Sequence, residues 1–212
     1  MKNRITTLFL DIGGVLLSNG WGHDFRKLTA EKFNIDYQEM EERHNIMFVT
    51  YEEGRITLNE YFDRVIFYKQ RDFTQDQLRE FMFSLSTPDL EMISFIKKIK
   101  AQYHLKIVAV SNEARELNAY RIRTFGLDEI FDFFVSSCYV QLRKPDPAIY
   151  KMALDTANVL PGQVIYIDDV QIFVDIAAGL GIKSIQHANM QSTSKALTAL
   201  GFTTDQMKLI HA

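Results

Sequence analysis

Four short polar clusters follow apolar runs, three of them at once and that of Lys144 some residues later, and each holds a residue type that handles phosphate or metal. Asp11 comes directly after Leu8-Phe9-Leu10, and Gly13-Gly14 follow it. Ser111-Asn112 come after Val108-Ala109-Val110. Lys144 stands in Arg143-Lys144-Pro145-Asp146, and Asp168-Asp169 close the run Val164-Ile165-Tyr166-Ile167. In an open parallel sheet ligands bind outside the carboxyl ends of the strands, so the four clusters are expected to share one crevice.

The charges say what that crevice would take. Asp11, Asp168 and Asp169 repel one another when ionised close together and need a compensating cation. Lys144 supplies one positive charge. A hard divalent ion with oxygen ligands supplies the rest, and Mg²⁺ is the natural ion beside phosphate. The Gly13-Gly14 pair lets backbone amides approach an anion closely, and Ser111 and Lys144 are donors suited to phosphate oxygens. Asp11 is then a candidate nucleophile that forms an acyl phosphate. A plainer reading of each residue stays open at this level. Asp11 serves equally as a turn residue, Ser111-Asn112 as a helix cap, Asp168-Asp169 as a strand-end turn and Lys144 as a solvated lysine.

These clusters need a scaffold. Ile5–Leu10, Leu105–Val110, Phe131–Val135, Val164–Ile167 and Lys183–Gln186 are rich in β-branched and aromatic residues with little alternation, which predicts strands buried on both faces. Helical patterns lie between them at Leu90–Ala101, Glu113–Phe125 and Pro147–Ala157, the last with Asp146 as N-cap and Pro147 at the first helical position. Strands alternating with helices predict an α/β fold with a parallel sheet covered on both sides. The interval from Leu10 to Leu105 far exceeds the roughly dozen residues a crossover needs. It is rich in helix signals: Asp24–Phe33, Tyr37–Tyr51, and the capping boxes Thr57-Leu58-Asn59-Glu60 and Thr74-Gln75-Asp76-Gln77. Residues 17–84 therefore read as an inserted helical domain, between a first piece of the core at 1–16 and its remainder at 85–212.

Composition narrows the class. The 212 residues are 47% hydrophobic and carry a net charge of −3, which fits one large domain or a domain with an insert and argues against a dedicated nucleic-acid binder. The insert holds 9 Lys+Arg against 13 Asp+Glu, so it is no platform for a phosphate polymer. The five histidines, at 23, 44, 104, 187 and 211, show no zinc-site spacing. A single cysteine, Cys138, fits a reducing cytosol. The apolar run after Met1-Lys2-Asn3-Arg4 is too short for a secretory leader. No stretch reaches the roughly 18 apolar residues of a membrane span. A cytoplasmic protein with a small-molecule partner, and neither nucleic acid nor membrane, is the expectation.

The four clusters together resemble the motifs of the haloacid dehalogenase-like hydrolase superfamily. Leu8-Phe9-Leu10-Asp11-Ile12-Gly13-Gly14-Val15 is similar to its first motif, Val110-Ser111-Asn112 to its second, and Arg143-Lys144-Pro145-Asp146-Pro147-Ala148-Ile149-Tyr150 to its third. Ile167-Asp168-Asp169 through Gly181-Ile182 is similar to the fourth. The resemblance implies a Rossmann-like sheet in the order 5-4-1-2-3 with a helical cap inserted after the first motif. It implies Asp11 as nucleophile and Ser111, Asn112, Lys144 and Gly13 around the phosphate. It also implies Asp11, the Gly13 carbonyl, Asp168 and Asp169 around Mg²⁺, with Asp169 the direct ligand and Asp168 behind it. The expected reaction is hydrolysis of a small phosphorylated metabolite, sugar phosphates among them, through an aspartyl-phosphate.

Two departures bear on that expectation. Gly13 stands where most phosphatases of the family carry a second Asp that protonates the leaving group. Water, or a cap residue such as His23, Asp24, Glu52 or Glu53, would then supply the proton, and acidic leaving groups would be favoured. A backbone with positive φ at Gly13 would also make an Asp there costly. Val170 and Phe173 stand where relatives often have a small polar residue and Asn. Trp21 and Phe25 read as core, and Asp175 as surface. Two further functions compete: metal-independent 2-haloacid dehalogenation, which the Asp168-Asp169 pair argues against, and a catalytically weak binding or regulatory protein.

Overall fold

The computed structural model describes residues 4–203. Residues 1–3 and 204–212, and with them His211 and the outer ends of the two core ranges, lie outside the described residues. The chain opens with β1 (Thr7–Leu10) and then runs through four helices: α1 (His23–Lys32), α2 (Tyr37–Glu52), α3 (Leu58–Val65) and α4 (Gln75–Ser84). Helices and strands then alternate: α5 (Leu90–Tyr103), β2 (Lys106–Ser111), α6 (Arg115–Phe125), β3 (Phe133–Ser136), the short α7 (Ser137–Val140), α8 (Pro147–Ala157) and β4 (Val164–Asp168). The series ends with α9 (Gln171–Gly179), β5 (Lys183–Gln186) and α10 (Met190–Ala199).

The five strands form one parallel sheet in the order β3-β2-β1-β4-β5, the arrangement expected. Both faces are covered, which is why the strands read as continuous apolar runs. Leu8, Leu10, Ile107, Ala109, Ile165 and Ile167 point into one core with Met92, Ile96 and Ile99 of α5. Phe9, Val108, Val110, Val164 and Tyr166 point the other way, onto Ile149, Tyr150 and Ala153 of α8. Register then fixes the polar ends. Leu10 pairs with Ile167 on one side and Ala109 on the other, so Asp11 emerges level with Asp168 and beside the end of β2.

Local chemistry sets the helix starts. Thr57 and Glu60 cap each other at α3, as Thr74 and Gln77 do at α4, and Asp146 caps α8 ahead of Pro147. Helices α1–α4 contribute a separate apolar cluster around Tyr51, Tyr61, Phe62, Val65, Leu78 and Met82, into which Ala114 and Leu117 also pack. The chain leaves and re-enters the sheet side by side. Ser18 donates its amide to the Thr87 carbonyl at 2.8 Å and its hydroxyl to the Leu85 carbonyl at 3.1 Å. Among the described residues no helix is long and apolar enough to cross a membrane.

Candidate active site

Asp11, Lys144 and Asp168 meet at the carboxyl edge of the sheet, and all three are buried. Lys144 Nζ lies 2.9 Å from Asp11 Oδ2 and 2.6 Å from Asp168 Oδ2. Lys144 is thus no solvated surface lysine. Burial works against its ammonium, but the Asp11 and Asp168 carboxylates outweigh that and raise its pKa. Asp11 shifts upward too, through burial first and then Asp168 and Asp169, against the pull of Lys144. Phe173 has a place here: Lys144 Nζ stands 5.0 Å from the centre of its ring, a cation–π contact.

The neighbouring residues divide their tasks. Ser111, the last residue of β2, is buried and lines the same pocket as Asp11. Neither Ser111 nor Asn112 caps a helix, because α6 starts later with Ala114 at its N-cap. The Asn112 side chain instead grips the Lys144 backbone: Nδ2 donates to the carbonyl and Oδ1 accepts from the amide, each at 2.8 Å. Of the glycine pair only Gly13 faces the pocket. The Gly14 amide is already taken by the Leu17 carbonyl at 2.7 Å. It is Gly14, with φ +74°, and not Gly13 that holds the left-handed backbone, and its missing Cβ makes room for the Asp169 carboxylate.

The two adjacent acids differ in what holds them. Asp168 Oδ2 accepts from Lys144 and from the Tyr166 hydroxyl, and Oδ1 accepts from the Val170 amide at 2.8 Å. Asp168 therefore does serve as a strand-end turn as well as an ion-pair partner. Asp169 is half-buried, and its pKa is raised by burial first and by Asp168 second. Oxygens of Asp11, Asp168 and Asp169 lie within 4.8 Å of one another. At about 4 Å and an effective dielectric of about 20, two like charges repel by about 4 kcal/mol. Lys144 is shared by Asp11 and Asp168 and acts on Asp169 only from a distance, so among the described residues Asp169 has no ion-pair partner. This all-oxygen donor set fits a small hard cation such as Mg²⁺.

The pocket over Asp11 has a volume of about 310 Å³ and is walled on its far side by residues of α1 and α2 and the segment before them, Trp21 and Phe48 among them. Trp21 thus faces the pocket as well as the apolar cluster. Glu52 is on this wall and pairs with Arg143 at 2.7 Å. His23, Asp24 and Glu53 are not on it; His23 pairs with Tyr37 instead. Glu113 is a wall residue that carries no sequence signal of its own. It reads as the start of a helix, yet it stays outside α6 because its amide donates to Ser137 Oγ at 3.0 Å and its carboxylate accepts from Arg121 at 2.5 Å. Burial pushes the Glu113 carboxyl above its ordinary value, against the pull of Arg121. Cys138 is buried, which pushes its thiol up to about 12, and Asp175 is on the surface as expected.

Comparison with known proteins agrees with this architecture. The family profile of the haloacid dehalogenase-like hydrolases matches residues 5–181. A phosphorylated carbohydrates phosphatase of Thermotoga maritima is 33% identical over 95 residues, which are 45% of this chain and 42% of that one. Flavin mononucleotide hydrolase 1 of Arabidopsis thaliana is 27% identical over 98% of this chain and 82% of its own. The matches to mammalian bifunctional epoxide hydrolase 2 span only 10–13% of that protein's length. In three dimensions the chain superposes on a HAD family enzyme from Bacteroides thetaiotaomicron, solved with magnesium and inorganic phosphate. The TM-score is 0.72 at 21% identity, over 86% of this chain and 93% of that one. With the profile spanning the sheet from its first strand through α9, the chain belongs to the haloacid dehalogenase-like hydrolase family.

Proposed function

We propose that the protein is a Mg²⁺-dependent phosphatase that hydrolyses a small phosphorylated metabolite through an aspartyl-phosphate on Asp11. The observation that carries this reading is the contact of Lys144 with both Asp11 and Asp168, beside an Asp169 that makes no ion pair among the described residues. Asp11, Asp169 and the Gly13 carbonyl would hold the metal, with Asp168 behind them fixing Lys144. Bound Mg²⁺ would supply charge neutralisation to the phosphoryl oxygens.

An Asp11 carboxylate oxygen attacks phosphorus, and the bond to the leaving oxygen breaks. That oxygen takes a proton from water. Water then attacks the phosphorus of the acyl phosphate, the bond to Asp11 breaks, and inorganic phosphate leaves with the carboxylate restored. Lys144, the Ser111 hydroxyl and the main-chain amides of Gly13 and Asn112 bind the phosphoryl oxygens. Residues 17–84 act as a cap that excludes water and bulky substrates. The names of two relatives, a phosphorylated carbohydrates phosphatase and a flavin mononucleotide hydrolase, support a small phosphorylated substrate. Metal-independent dehalogenation would leave Asp169 without a task, and a purely binding role would leave the Asp11–Lys144 pair without one.

The test is release of inorganic phosphate from a panel of sugar phosphates, nucleotides and acyl phosphates, with and without Mg²⁺. Small phosphomonoesters should be hydrolysed only with the metal, and a folded phosphoprotein should not. Equal rates on a phosphoprotein and a hexose phosphate would refute the cap, and full turnover in metal-free protein would refute the mechanism.

A further inference from the structure

The pocket holds a carboxylate that aspartyl-phosphate chemistry does not use. Glu113 is buried and lines the same pocket as Asp11. Its Oε2 accepts from Arg121 Nη1 at 2.5 Å. Its Oε1 takes no hydrogen bond from the described residues and lies against Gly20, where an added Cβ would stand 2.8 Å from it. Glycine at position 20 is what leaves that oxygen its space. Arg121 is fully buried and is itself fixed, by Ser86 Oγ at 3.1 Å and by the Ser18 carbonyl. A guanidinium held this firmly keeps one carboxylate oxygen in place and leaves the other as an acceptor.

The other cations on the wall already have carboxylate partners. Arg26 donates to Glu41 through two nitrogens, and Arg143 to Glu52. Lys144 belongs to the phosphate end. Beyond that end, each guanidinium of the described wall therefore already faces a carboxylate, whose charge opposes a second anion on a substrate. Aromatic rings such as Trp21 and Phe48 supply the surface between.

We propose that Glu113 selects the leaving group: its Oε1 accepts a hydrogen bond from a hydroxyl of an uncharged, hydroxyl-bearing leaving group. The pocket then takes sugar and polyol phosphomonoesters and turns away those whose leaving group carries a carboxylate. Burying a second carboxylate beside Glu113 without a cation is costly. This selection rests on the phosphatase reading and adds to it the class of leaving group.

The test compares kcat/KM in the presence of Mg²⁺ for hexose and pentose phosphates, phosphoglycolate and p-nitrophenyl phosphate. It uses the wild type, Glu113→Gln and Glu113→Ala. p-Nitrophenyl phosphate has no hydroxyl and reports on the phosphate end. The wild type should favour sugar phosphates over phosphoglycolate. Glu113→Ala should cost sugar phosphates about 10- to 100-fold more than p-nitrophenyl phosphate, the range of a hydrogen bond to a charged group. Glu113→Gln keeps an acceptor oxygen and removes the charge. It should lose less on sugars and narrow the gap to phosphoglycolate. Alanine strands a buried guanidinium, so melting is followed alongside, and the Gln variant carries the test if the Ala variant unfolds. A wild type that prefers phosphoglycolate, or a Gln variant that loses equally on every substrate, overturns the proposal. No phosphate release from any substrate, p-nitrophenyl phosphate included, overturns the phosphatase reading first and this one with it.

Discussion

Asn112 and Lys144 hold each other by two hydrogen bonds of opposite direction, side chain to main chain, both 2.8 Å long. The clasp ties the end of β2 to the loop before α8 and so sets where the lysine stem begins. Asn112→Ala removes both bonds and strands two main-chain groups. With about 1 kcal/mol per bond and tenfold in rate per about 1.4 kcal/mol, kcat should fall by about 10- to 100-fold. Melting should drop by about 4–8 °C, since about 1 kcal/mol shifts a domain of this size by about 2–4 °C. Steady-state kinetics and a thermal melt on the same preparation decide it. Unchanged kcat would mean that Lys144 is placed by its carboxylates alone.

The two acids after β4 should separate under mutation. Asp169 is bonded through its side chain only to its own main chain, whereas Asp168 holds Lys144, Tyr166 and the Val170 amide. Asp169→Ala should raise the Mg²⁺ concentration needed for turnover with little change in melting. Asp168→Ala should lower the melting temperature as well, because it leaves buried donors unpaired. Asp11→Asn should abolish turnover, since an amide cannot form the acyl phosphate. A magnesium titration and a melt on each variant check all three.

The sheet and the polar strand ends were legible because each motif is local: a few β-branched residues followed at once by Asp or Ser. The capping boxes at Thr57 and Thr74 likewise mark α3 and α4 through contacts three residues long. Glu113 and Arg121 were not legible. Their pairing is read only once α6 is built, and the Ser18 and Ser86 contacts that fix Arg121 come from both ends of the insert. Trp21 reads as core because a ring that packs on one side and faces a pocket on the other has the same sequence as one packed on both. Asn112 reads as a cap because its true partner lies 32 residues away.

His44 should make stability depend on acid. Trp21 Nε1 can only donate, and it donates to the Tyr61 hydroxyl at 2.8 Å. The same hydroxyl lies 2.7 Å from His44 Nδ1, and in the neutral ring it donates there when Nδ1 carries no proton. Burial first, and Arg26 second, lower the His44 pKa from 6.5 to about 4. The unfolded chain therefore takes up this proton at a higher pH than the folded one. The contribution to stability is whole above 6.5 and is lost as pH falls toward 4. Wild-type melting temperature should fall more steeply over that window than that of His44→Gln. Parallel curves for the two proteins would remove His44 as the titrating group.

Position 13 tests how the leaving group gets its proton. An added Cβ there meets only ordinary contacts, Asn19 at 3.6 Å and Arg121 Nη1 at 3.7 Å. Its backbone is not left-handed, so Gly13→Asp should fold and melt close to wild type. A positioned general acid is worth about 10²–10⁴ in rate. Substrates with poor, alkyl leaving groups should gain most, and aryl and acyl phosphates least. Arg121 stands beside the new carboxyl and favours its ionised form, although Glu113 already engages that guanidinium. The gain should therefore grow as pH falls toward the pKa of the new acid. The measurement is the slope of log kcat/KM against leaving-group pKa for both proteins, at two pH values. A steep wild-type slope that flattens in the variant supports unassisted departure from the native enzyme. A wild-type slope already shallow would show that an existing acid delivers the proton without help from position 13.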